Sequence, residues 1–384
     1  MKMKNKIQRV SATITAITVG ILIVIILSYT GKESRGPIEN LFSFAGEIVD
    51  KIEKKFIISD RDDKRSDKLK WFEPYFTNTR LLLNPDRILL GAFDNNNKEN
   101  FESIIALEDT LHTTFPLIHI YTAWGDKPGQ EFPSKQVKSI LELGSLPVIT
   151  WEPWLSAFDQ EKNPGLKRAE ERDKNGFSDI DKGVYDFYII KWAEDLKEIE
   201  FPVFVRVGHE MNDPYRYPWG PQNNSAADFK AGWKHIHDLF KEQGANNVIW
   251  IWSPHPAYGY FNDFYPGDSL VDYVGVGTLN YGTVAPWSDW WSFAEIFGNY
   301  YQQLASFKKP IMLTEFGSLE TGGDRSKWFS DALNDLPQSY PAIKSVLFFH
   351  YSDDRTISPK SLNWYFMYDT ASAKSIRNAI DSWK

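Results

Sequence analysis

Eight short apolar runs alternate with longer amphipathic ones from about Leu81 to the C-terminus of this 384-residue chain. Strands alternating with helices imply a parallel sheet, and eight such units in roughly 300 residues predict an α/β fold of the (β/α)8 kind, a TIM barrel. No Gly-x-Gly-x-x-Gly follows any of the apolar runs, which argues against the doubly wound alternative. The barrel is expected behind an N-terminal transmembrane helix and a polar linker.

Taken in order, residues 1–31 read as a cytoplasmic tip and a signal-anchor. Lys2, Lys4, Lys6 and Arg9 precede a run, Val10 to Gly31, that carries no charge. About twenty such residues span a bilayer as a helix. Basic residues ahead of the span place the N-terminus inside and the bulk of the chain outside the cell. The exit, Ser28-Tyr29-Thr30-Gly31, lacks an Ala-x-Ala cleavage site. Retention as a single-pass cell-membrane anchor is therefore expected over secretion after cleavage. Residues 32–70 are rich in Lys, Asp and Glu and read as a tether, because such a composition buries no core. Residues 71–384 are the expected barrel domain.

Within it the strand candidates are Ile88 to Phe93, Pro116 to Tyr121, Leu146 to Trp151, Pro202 to Gly208, Val248 to Trp252, Val271 to Val276, Pro310 to Leu313 and Ile343 to Phe349. The helical patterns are Phe101 to Leu111, Lys135 to Glu142, Val184 to Glu198, Ala226 to Lys241, Phe293 to Phe307 and Ser326 to Leu333, with Ala371 to Trp383 closing the chain.

Composition narrows the chemistry. A net charge of −8 and no basic block beyond the N-terminus argue against nucleic acid. There is no cysteine, so disulfides and Cys-based metal sites are excluded. The 7 histidines show no His-x-x-x-His pairing, and no metal or organic cofactor is expected. Aromatic residues make up 15% of the chain, with 15 Trp, and several fall just after strands. Aromatic rings in that position suit a cleft that stacks sugar rings.

Function in a barrel gathers at the C-terminal ends of the strands. Those ends read Thr150-Trp151-Glu152-Pro153-Trp154, His209-Glu210, Trp252-Ser253-Pro254-His255, Leu279-Asn280-Tyr281, Thr314-Glu315-Phe316-Gly317 and Phe349-His350-Tyr351. Glu210 and Glu315 stand at the ends of buried runs, on strands that face each other across a barrel mouth. Two carboxyls so placed fit glycoside hydrolysis, one giving a proton to the leaving oxygen and the other attacking the anomeric carbon. Spacing does not say which does which. Strand alternation puts Arg206, Gly208 and Glu210 on one face, so the Arg206 cation would sit below the acidic pair and hold a carboxylate charged. The other reading of Arg206 is a partner for a structural Asp.

The run Arg206-Val207-Gly208-His209-Glu210-Met211-Asn212, followed 105 residues after Glu210 by Thr314-Glu315-Phe316-Gly317, resembles glycoside hydrolase family 26. That family holds β-mannanases, mixed-linkage β-glucanases and β-1,3-xylanases. The resemblance implies a retaining mechanism with Glu210 as acid/base and Glu315 as nucleophile. It implies that His209 and Tyr281 flank the scissile bond, Tyr281 donating a hydrogen bond that keeps Glu315 ionised. It also matches Trp219 to a sugar-stacking tryptophan.

Asn212 and His350, which share these strand ends, are read as substrate contacts. Trp151 and Trp252 are stacking candidates or core filling; Glu152 binds sugar hydroxyls or caps a helix. Together these readings describe a monomeric, membrane-tethered, endo-acting β-glycoside hydrolase. Its expected partner is a β-linked polysaccharide, β-1,4-mannan first and mixed-linkage β-1,3-1,4-glucan next. The alternatives are a catalytically inactive carbohydrate-binding barrel and an envelope-polysaccharide transglycosylase.

Overall fold

The strands are short runs of apolar residues because both faces of each are covered, the barrel interior on one side and helices on the other. They are β1 Leu89–Asp94, β2 Leu117–Ala123, β3 Leu146–Glu152, β4 Val203–Val207, β5 Val248–Trp252, β6 Tyr273–Asn280, β7 Ile311–Ser318 and β8 Ile343–His350. Every neighbouring pair is parallel and β8 returns to β1, so the sheet closes in sequence order. This is the (β/α)8 barrel that the alternation of runs predicts, in a computed structural model describing residues 65–96, 101–355 and 361–383, together with 19 and 20.

The outer layer is built from α1 Glu102–Leu111, α2 Ser134–Glu142, α3 Asp186–Lys197, α4 Ala226–Gln243, α5 Asn299–Ala305, α6 Arg325–Ser339 and α7 Thr370–Asp381. Their ends follow from local chemistry. Ser225 caps α4 by accepting from the Asp228 amide, and Gly244 closes it in the left-handed region at φ 83°. Asp324 and Asp369 cap α6 and α7 in the same way as Ser225.

The chain divides into two units, Met1–Asp60 and Arg61–Lys384. The transmembrane helix expected at 10–31 lies, apart from residues 19 and 20, outside the described residues. Among the described residues no helix is long and apolar enough to cross a membrane. Residues 65–70, which fall within the expected tether, are helical. Arg65 is already buried, pairing with Glu108 at 2.8 Å and donating to Ser145 Oγ at 2.9 Å. The short helical turns that follow put Leu69, Phe72, Tyr75 and Leu82 against Leu89, Leu117, Leu146 and Tyr273 at the starts of the strands. This end of the barrel is a plug of apolar side chains, which leaves the opposite mouth for chemistry.

Candidate active site

The site grows from a polar layer inside the barrel. Arg206, on β4, is 1% exposed at its side chain. Its guanidinium is spent on four neighbours: Nε donates to Thr150 Oγ1 at 2.8 Å, Nη1 to Thr314 Oγ1 at 2.8 Å, and Nη2 to Tyr121 Oη at 3.1 Å and Glu315 Oε1 at 2.6 Å. Tyr121, at the upper end of β2, donates to the same Glu315 oxygen at 2.8 Å. His119 Nε2 meets Thr150 Oγ1 at 2.7 Å and extends the layer. The Asp-paired reading of Arg206 is thus set aside; its partner is Glu315.

Both Thr314 and Glu315 turn inward, which a regular strand does not allow for consecutive residues. The register against β6 shifts between Val276 and Gly277, and against β8 between Leu313 and Phe316. A bulge of this kind re-aims a side chain, and here it delivers Glu315 into the mouth.

Glu210 arrives differently from the strand alternation expected for it. β4 stops at Val207, and Gly208 and Glu210 both adopt left-handed backbone, at φ 49° and 54°. For a residue with a Cβ this conformation is strained. It is held by the Glu210 amide donating to Ser253 O at 2.7 Å. Glu210 Oε2 faces Arg216 Nη1 at 3.3 Å.

The two carboxylates converge on Gly277. A Cβ on that residue would stand 3.4 Å from Glu210 Oε1 and 3.7 Å from Glu315 Oε2. The two oxygens are therefore no more than about 7 Å apart; retaining sites need about 5–5.5 Å between carboxyls and inverting ones about 6.5–9.5 Å. Both geometries satisfy this bound on one pair of oxygens.

Electrostatics separate the groups further. Burial alone would raise the Glu315 carboxyl; the charge and hydrogen bond of Arg206, then Arg216 and the Tyr121 hydroxyl, outweigh it and hold the carboxyl below its ordinary value. Burial, then the Arg206 charge, pushes His119 well below the usual imidazole range. His209 is pushed down by burial and then by Arg206 and Arg216, so both rings are neutral. Glu152 is shifted up by burial despite a 3.0 Å bond from Trp154 Nε1, and it lies 4.0 Å from His209 Nε2.

Several expected substrate contacts serve other purposes. Trp151 is fully buried and stacks on Trp192 at 4.3 Å. Thr150 points into the barrel, so its neighbour must point out, toward the helices. Trp252 is also fully buried, edge-on to Tyr265 and Phe307 outside the barrel. His350 is fully buried, with Nδ1 2.7 Å from Asp94 Oδ2 and Tyr365 against its face at 3.7 Å; it locks β8 to β1. Trp219 is 2% exposed, stacked on Tyr217 at 4.6 Å, and donates to His209 O at 2.6 Å, so it braces His209. Asn212 is saturated by backbone: its amide donates to His255 O at 2.8 Å and Gly259 O at 2.9 Å, and Oδ1 accepts from the His255 amide at 2.7 Å. Tyr281 stands edge-on to Trp364 and Trp287, within the field of Arg216, Glu210 and Glu315, but the hydroxyl that donates to Glu315 is that of Tyr121.

Tyr121, Thr150, Thr314 and Arg216 escaped the sequence reading. Tyr121 was legible in principle: it ends a strand whose alternation with His119 points both inward. Among the described residues Glu210, Asp213 and His255 offer ligand atoms within 4.8 Å of one another. Asp213 Oδ1 accepts from the Tyr215 amide, His255 Nδ1 from that of Ala257, and Glu210 faces a guanidinium, so each of the three is already engaged.

A closed parallel barrel with two carboxylates meeting over a glycine at its open mouth defines a (β/α)8 protein with a paired-acid site. Residues 179–354, which include both glutamates, match the profile of Glycosyl hydrolase family 26. It is 34% identical over 241 residues to Endoglucanase H of Acetivibrio thermocellus, covering 59% of this chain and 24% of that protein. It is 32% identical over 174 residues to Mannan endo-1,4-beta-mannosidase of Bacillus subtilis, 43% of each chain. The chain thus spans less than half the length of either curated relative. The fold is similar to that of a GH26 beta-mannanase from Bacteroides ovatus, at TM-score 0.56 and 17% identity over 79% of this chain and 91% of that one.

Proposed function

We propose that the chain is a retaining, endo-acting β-glycoside hydrolase, with Glu315 as nucleophile and Glu210 as acid/base. The observation that carries this reading is the asymmetry of the pair across Gly277. Glu315 is held as a carboxylate through Oε1 by Arg206 and Tyr121, and its Oε2 is turned toward Glu210. In the first step Glu315 attacks the anomeric carbon while Glu210 protonates the departing glycosidic oxygen. In the second, Glu210 takes a proton from water, which displaces Glu315 from the glycosyl ester.

The substrate reading rests on the relatives. The mannosidase supports β-1,4-mannan, and the longer alignment, with an endoglucanase, supports a β-glucan; the two are assayed side by side. The basic tip and uncharged run at residues 2–31 support a cell-surface tether with the barrel outside. An intact N-terminus on membrane-bound protein supports that placement, and a new N-terminus near residue 30 on shed protein opposes it.

The central test uses Glu210→Gln and Glu315→Gln on defined mannans and glucans. Each variant is expected to lose on the order of 10³-fold or more in rate, since general acid catalysis alone contributes about 10²–10⁴-fold. An activated aryl glycoside, whose leaving group needs no proton, separates the roles: Glu210→Gln still releases a burst of phenol and Glu315→Gln does not. Full polysaccharide activity in either variant ends this reading.

A further inference from the structure

His119 is a buried ionisable side chain to which the paired-acid chemistry gives no task. It lies on β2, two residues below Tyr121, and is fully buried. Its Nε2 stands 2.7 Å from Thr150 Oγ1. That oxygen accepts from Arg206 Nε at 2.8 Å, and Arg206 Nη2 donates to Glu315 Oε1 at 2.6 Å. His119, Thr150, Arg206 and Glu315 thus form one line of hydrogen bonds that runs through the barrel interior to the attacking carboxylate. At the far end of the line, His119 Nδ1 is buried with no hydrogen-bond partner among the described residues.

Counting donors gives the direction of the protons along this line. A threonine hydroxyl has one proton and two lone pairs, and a neutral imidazole has one N–H and one lone pair. Arg206 only donates, so one lone pair of Thr150 Oγ1 is taken. If His119 Nε2 also donated to that oxygen, the Thr150 proton and the His119 Nδ1 lone pair would both be left over among the described residues. If the Thr150 hydroxyl donates to Nε2 instead, only the Nδ1–H is left over. The second arrangement buries fewer unpaired groups, each of which costs free energy. It also makes Thr150 a better acceptor toward Arg206, since a hydroxyl that donates is polarised. It requires an uncharged ring. Burial and then the Arg206 charge keep the ring neutral, and the other ionisable groups facing it are Tyr121 and His209.

We infer that His119 is a positioning residue for the nucleophile: with its proton on Nδ1 and Nε2 accepting, it fixes the Thr150 hydroxyl, and through it the plane of Arg206 against Glu315. The guanidinium is planar, and Nη1 is already tied to Thr314 Oγ1 at 2.8 Å. With Nε held by Thr150 as well, the plane cannot tilt, and Nη2 stays on Glu315 Oε1. Releasing Thr150 frees the plane to tilt and to carry the carboxylate with it. A misplacement of about 1 Å at a reacting group costs on the order of 10²-fold in rate. This inference rests on the hydrolase reading and adds to it a residue that acts on Glu315 through two others.

The test uses the full chain and two readouts. Nitrogen NMR of the histidine rings reads the tautomer, with the His119 signals identified by their loss in His119→Phe or His119→Asn. The expected result, from about pH 6 to 8, is a neutral ring with hydrogen on Nδ1 and a bare Nε2. Hydrogen on Nε2 overturns the inference. Kinetics on mannan and mixed-linkage glucan read the positioning. Thr150→Val removes the hydroxyl at nearly constant shape and is expected to lower kcat about tenfold with KM unchanged. His119→Phe, which keeps a ring and loses the acceptor, is expected to follow it. Thr150→Ser keeps the hydroxyl and is expected to turn over as wild type. Wild-type kcat in a folded Thr150→Val overturns the inference, as does a loss that Thr150→Ser shares in full. Where a variant does not fold, the wild-type tautomer decides. If wild type cleaves neither polymer, the hydrolase reading fails, and the tautomer still decides the direction of the protons.

Discussion

Tyr121 donates to Glu315 Oε1 at 2.8 Å, the same oxygen that Arg206 grips at 2.6 Å. Both donors favour the charged form of the carboxyl and contribute to its lowered value. Removing one donor with Tyr121→Phe raises that value. In the proposed mechanism attack needs Glu315 ionised, so the acid limb of the kcat/KM profile moves to higher pH in the variant. An acid limb that stays in place, with wild-type rate, shows that this hydrogen bond does not tune the nucleophile.

Arg206→Met removes the only cation hydrogen-bonded to Glu315 among the described residues. Leaving a buried charge uncompensated costs about 3–5 kcal/mol, measurable by denaturant unfolding near neutral pH. The pH dependence follows from the sign of the shift. The folded value of Glu315 lies below the ordinary 4.5, so in wild type its contribution is complete above pH 4.5 and is lost as pH falls through the lower folded value. In the variant burial acts unopposed by Arg206, so the stability gap between the two proteins narrows on acidification. A gap that is constant from pH 7 to 3 contradicts this account.

Gly277→Ala places a methyl group 3.4 Å from one carboxylate and 3.7 Å from the other. Those distances are ordinary contacts, so the variant folds, with melting close to wild type. In the proposed mechanism the anomeric carbon sits between these two carboxylates, beside the methyl. A displacement of about 1 Å there costs on the order of 10²-fold in kcat/KM. Wild-type turnover by a folded Gly277→Ala places the reacting sugar elsewhere.

Trp151 gives the opposite pattern. Its ring is sandwiched among Trp124, Trp192 and Tyr188 behind the barrel wall. Trp151→Ala costs about 3–5 kcal/mol of stability. The KM of the folded fraction stays at the wild-type value, and a rise of tenfold or more puts the ring in the groove after all.

The barrel was readable because each strand is a bounded apolar run, and all eight fall within a few residues of their expected places. The meeting of Glu210 and Glu315 at the mouth was readable because each closes a buried run on strands that face each other. What escaped was orientation. Trp151, Trp252 and His350 sit at strand ends with the right chemistry, yet point outward, and one residue of register decides that. Glu315 faces inward only through a bulge, and Glu210 only through two left-handed residues; neither leaves a mark in an alternation pattern. Tyr121 was hidden for a simpler reason: a Tyr closing an apolar run looks like core.

The three bonds of Asn212 make the acid's loop and the segment His255 to Gly259 one mechanical part. Lengthening or shortening either loop would therefore shift the Glu210 carboxylate and the segment His255 to Gly259 together. Changes at this rim are best made in the side chains that the part carries, with its backbone left alone.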